Sequence, residues 1–89
     1  MMTLDDQFAQ ARAEAVAAWD AFIAETREDV AYLRALNGPE EDRQTSAREL
    51  YQNVSGAAQD LRFLGWMHPR LPAQLAALNA LAGDLLNFL

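Results

Sequence analysis

The 89-residue sequence predicts an all-α fold: an antiparallel bundle of three helices, a long first helix and two shorter ones folded back on it. Three observations carry this. Apolar residues recur every three or four positions, the period of a helix with one buried face. The β-branched residues that favour strands are few. Residues that a helix interior excludes gather in two stretches, Asn37-Gly38-Pro39 and His68-Pro69-Arg70-Leu71-Pro72. Glycine suits the position just past a helix end, and proline suits the first turn of the next helix. Each stretch therefore reads as a stop and a restart, and residues 1–89 read as a single helical domain.

The first helix is predicted from about Leu4 to Leu36, a span of ~50 Å. Its apolar face carries Leu4, Phe8, Ala11, Ala15, Trp19, Phe22, Ile23, Thr26, Val30 and Leu33. Phe8, Trp19 and Val30 are spaced by eleven, and so are Ala11, Phe22 and Leu33. An eleven-residue repeat keeps a stripe on one side of a helix with little supercoil. Glu14, Glu25 and Glu28 line one edge of the stripe; Arg27 and Arg34 line the other, with Asp20 among them. Such edges are either a solvated face or the complementary flanks of an antiparallel helix pair.

The second helix starts between Pro39 and Ala47. Glu40, Glu41 and Asp42 would complement the dipole of an early start. Ser46 with Glu49 fits a capping box for a late one. The stripe Ala47, Leu50, Val54, Ala57, Ala58, Leu61 and Leu64 is regular, with Gly56 marking a bend or a close approach of another backbone. Phe63 and Trp66 fall off this stripe and form an apolar cluster with Met67. Either the helix loosens and the rings fold into the core, or they form a second packing surface.

The third helix is predicted from Pro72 to about Phe88. Leu71, Leu75, Leu78, Ala82, Leu85 and Leu89 form its main stripe, widened by Leu81, Leu86 and Phe88. The other side carries Ala76, Ala80, Gly83 and Asn87, and Asp84 is the sole charge from Leu71 to Leu89. A surface helix of a monomer carries a charged face opposite its apolar one. This helix asks for burial on two sides. At ~25 Å it is also half as long as the first helix and cannot cover that helix's stripe. Both points predict a homodimer sharing a core, with Phe63, Trp66, Met67, Ala76, Ala80, Gly83, Leu86 and Phe88 at the dimer or partner interface.

Charge narrows the function classes. The net charge is −6, all of it in residues 1–49, while residues 50–89 are neutral. Nucleic-acid binding and docking on anionic lipid both need a basic face, so neither partner is expected. The apolar C-terminal segment falls short of the ~20 uninterrupted apolar residues a membrane span needs. All seven basic residues are arginine, and alanine and leucine are abundant. This composition points to a bacterial source, and the acidic, leaderless start of the sequence to the cytoplasm.

Catalytic chemistry is sparse. The chain has one histidine, His68, and no cysteine or lysine; no catalytic residue and no cofactor are expected. One alternative rests on Glu25, Glu28 and Asp29, three carboxylates near one helical face that suit Mg²⁺. Their spacing is similar to the first acidic motif of the all-α nucleotide pyrophosphohydrolases of the MazG type. That resemblance implies a metal-dependent hydrolase with these residues as ligands, and it covers only these positions. Glu40-Glu41 lacks the third glutamate of that pattern, and Leu81 stands where Asp84 needs a paired glutamate. The leading expectation is a small helical interaction or regulatory protein without catalytic activity, with a protein partner as well as its own copy. The remaining alternative is an acidic mimic that binds a basic partner.

Overall fold

The computed structural model describes residues 3–36, 38–63 and 68–89, apart from the side chain of Phe63. It holds three helices packed against one another, α1 (Leu4–Ala35), α2 (Glu40–Phe63) and α3 (Leu71–Leu86), with no strand among the described residues.

Local chemistry sets each helix end. The Thr3 hydroxyl accepts from the Asp6 N–H at 3.2 Å, and the Asp6 carboxylate accepts from the Thr3 N–H at 3.2 Å. This reciprocal capping box fixes the start of α1, and Asp5 and Asp6 complement its dipole. At the far end, Arg43 of α2 donates to the Leu36 carbonyl, satisfying an acceptor the helix leaves open. α2 takes the early start. Asp42 and Arg43 donate their N–H groups to the Pro39 carbonyl at 3.1 and 3.2 Å, and Ser46 lies inside the helix. Three acids in the first turn outweigh the Ser46–Glu49 pattern. α3 has Pro72 in its first turn, as expected. It ends at Leu86 rather than Phe88, because the Phe88 and Leu89 N–H groups close tight turns onto Leu85 and Leu86.

The core is drawn from all three helices. Ile23, Val30 and Leu33 come from α1; Ala47, Val54, Ala57, Ala58 and Leu61 from α2; Leu78, Leu81 and Leu85 from α3. Three of the five α2 core residues are alanines, and α2 and α3 share the most extensive contact. Thr26 is the polar member contributed by α1, and its hydroxyl donates to the Phe22 carbonyl at 2.8 Å. Trp19 and Phe22 pack edge to face at the border of this core, ring centroids 6.2 Å apart. α2 continues through Gly56, where an added Cβ would meet nothing within 4 Å among the described residues.

Asp20 meets Arg70 and Gln74 at the start of α3, while Arg34 meets Asp84 near its end, so α1 and α3 run in the same direction. α3 therefore covers only the C-terminal part of α1. The molecule measures 56 × 22 × 16 Å with a radius of gyration of 15.8 Å. A compact domain of this length would give ~12 Å. The elongation lies in α1, where every residue from Thr3 to Glu14 is exposed.

Candidate functional site

Three surfaces stand out. The first is a cleft of about 480 Å³ between α1 and α3, lined by Asp20, Ile23, Arg27, Arg70 and Gln74 with two alanines. Arg70 grips Asp20 with two nitrogens, Nη2 at 3.0 Å and Nε at 3.4 Å. Gln74, fully buried, donates Nε2 to Asp20 Oδ1 and to the Val16 carbonyl, both at 3.1 Å. Both neighbours are acceptors, which fixes the amide with its nitrogen toward them. Its oxygen is left buried without a partner. The Arg70 and Gln74 hydrogen bonds hold the Asp20 carboxyl below its ordinary value, and Asp20 raises that of the Arg70 guanidinium. An aspartate so engaged is a tie between helices.

The second surface is a groove of about 270 Å³ where α1 ends and α2 begins. Tyr32, Leu33, Leu36 and Leu50 give it an apolar floor; Asp29 and Glu49 give it an acidic rim. Tyr32 is 67% exposed, unusual for so large a ring. The third surface is the projecting start of α1, with Leu4 66% and Phe8 56% exposed.

The structure places the residues singled out from sequence in different settings. Ala76, Ala80, Gly83 and Leu86 all lie exposed on α3, and a Cβ added at Gly83 would meet nothing within 4 Å. Phe88 is half-buried and packs on the core, while Leu89, placed on the core stripe by its spacing, is 48% exposed. Trp66 and Met67 lie outside the described residues, as does the side chain of Phe63. Glu25, Glu28 and Asp29 are exposed, and among the described residues no group of three His, Asp or Glu side chains is placed to hold a metal ion. No described helix is long and apolar enough to cross a membrane.

Sequence reasoning missed the tie around Asp20. One signal was available: Gln74 stands four before Leu78 and three after Leu71, on the stripe that α3 buries. No family model, curated protein or solved structure matches this chain.

Proposed function

We propose that this protein is a non-catalytic helical interaction protein that works as a homodimer, each protomer an up-down-up bundle with α2 antiparallel to its two neighbours. The observation that carries the proposal is surface area. The chain exposes 6156 Å². A compact monomer of 9.9 kDa exposes ~5,200 Å². The excess of roughly 950 Å² is close to the ~800 Å² that each partner buries in a standard interface. Exposed Leu4, Phe8, Leu86 and Leu89 supply apolar groups to that surface.

The groove beside Tyr32 is the site we assign to a further protein partner. An apolar floor with two carboxylates on its rim suits a segment that presents an apolar side chain flanked by arginine or lysine. The arginine-only basic composition, with abundant alanine and leucine, supports a bacterial source. Sedimentation equilibrium at micromolar concentration tests the dimer: a folded monomer there overturns the proposal.

A further inference from the structure

The start of α1 poses a physical problem. Residues 3–14 form three turns of helix whose every side chain is exposed. A free helix of this length is marginal in water, because helices in proteins draw most of their stability from packing an apolar face. Yet the capping box at Thr3 and Asp6 defines its first turn, and it carries such a face. Leu4, Phe8, Ala11 and Ala15 share one side of the helix, continuous with the stripe that Ile23, Val30 and Leu33 bury further along.

This face is self-complementary. Its spacings of four, three and four read the same in both directions. Laid antiparallel on a copy of itself about a two-fold axis between Ala9 and Gln10, it sets Leu4 opposite Ala15 and Phe8 opposite Ala11. Large side chains then meet small ones at all four layers. The same register brings Asp5 of each copy to the flank occupied by Arg12 of the other, so opposite charges meet twice. Neither residue makes an ion pair within the protomer among the described residues. The overlap also ends where it should. Leu4 of the second copy reaches the level of Ala15, and the cover by α3 begins at Val16, whose carbonyl takes the Gln74 amide.

We infer that residues 3–15 are a dimerisation arm, paired antiparallel with the same arm of a second copy of this chain. The inference rests on the homodimer reading and specifies its interface. The pairing buries the exposed apolar groups of this arm, Leu4 and Phe8 foremost.

Sedimentation equilibrium on the full chain, with circular dichroism as the check on folding, tests it. Phe8→Glu, at an exposed position, leaves the protomer folded and weakens self-association by more than about tenfold. Asp5→Arg and Arg12→Asp each set like charges against each other and weaken it by about tenfold. An equimolar mixture of these two variants associates as the wild type does, because Arg12 then meets Asp5 at one end of the paired arms and the two introduced charges meet at the other. A monomeric wild type overturns both the arm and the homodimer. A Phe8→Glu variant that dimerises like the wild type overturns the arm and leaves the homodimer, with its interface on another face. A mixture no tighter than either variant alone overturns the antiparallel register.

Discussion

The side-chain amide of Gln74 donates to the main-chain carbonyl of Val16, 58 positions earlier, at 3.1 Å. A fully buried glutamine thereby ties the first turn of α3 to the middle of α1. The arrangement is only half satisfied, since its own oxygen has no partner. A buried acceptor left unpaired costs ~1–3 kcal/mol, and that loss offsets the two bonds the amide nitrogen makes.

Methionine at this position would therefore be tolerated. Gln74→Met keeps the volume, removes the orphan oxygen, and leaves Val16 and Asp20 with their other partners. Its unfolding free energy should lie within about 1 kcal/mol of the wild type. Gln74→Ala opens a cavity and should cost ~2 kcal/mol, lowering the melting temperature by ~8–16 °C. Denaturant titration of both variants checks the pair; equal losses would mean that the hydrogen bonds, not the volume, carry the site.

Asp20 gives the fold a dependence on acid. Its carboxyl is held below the ordinary value by Arg70 and then by Gln74, so the folded chain binds this proton less readily than the unfolded one. The stabilisation is present in full above the unfolded aspartate value of ~3.9 and is lost as pH falls through the lower folded value. Arg70 shifts upward and stays charged throughout this range. Melting temperature should therefore decline between about pH 4 and pH 2. Asp20→Asn should flatten that decline and lower stability at pH 7; an unchanged profile would remove Asp20 from the account.

Two glycines distinguish effects on the protomer from effects on the proposed dimer. Both lie inside helices, and an added Cβ meets nothing within 4 Å at either. Gly56→Ala should stabilise the fold by ~0.5–1 kcal/mol. Gly83→Ala should do the same if the Ala76, Ala80 and Gly83 side of α3 faces water. If a second chain packs closely there, the added methyl instead weakens association. Thermal melts at two protein concentrations distinguish these outcomes.

Thr3→Ala removes one half of the capping box and should cost the start of α1 ~1 kcal/mol. Among the described residues every one from Thr3 to Glu14 is exposed, so the core should melt at an unchanged temperature when dilute. Helical signal should drop by about one turn, and dimer dissociation should rise. Circular dichroism with sedimentation reads both.

Helix number and breaks were legible because Gly38, Pro39, Pro69 and Pro72 act locally. The start of α2 was ambiguous because Glu40 to Asp42 and the Ser46–Glu49 pair are competing local signals, and only one can win. Periodicity placed Phe8 and Val30 on one face, but it does not say what covers that face. Val30 is buried at 2% exposure and Phe8 stands at 56%, a difference set by the length of α3. The tie at Asp20 was out of reach for a different reason. Its partners Arg70 and Gln74 lie 50 and 54 positions away, and no local pattern links them.

The ends of α3 carry a consequence for the order of assembly. It has no acid in its first turn, no base in its last, and no side-chain cap at Arg70. Such a segment gains helicity mainly when its leucines find a surface. The nearest surface along the chain is α2, with which it shares its most extensive contact. The α2–α3 hairpin should then form early, since short loops close at low entropic cost. α1, joined to α2 by a short connection, docks on α3 afterwards, through contacts that close loops of 50 residues or more, such as Arg70 with Asp20. On this sequence of events the last element to dock is also the one that carries the proposed dimerisation arm, so association would follow folding rather than compete with it.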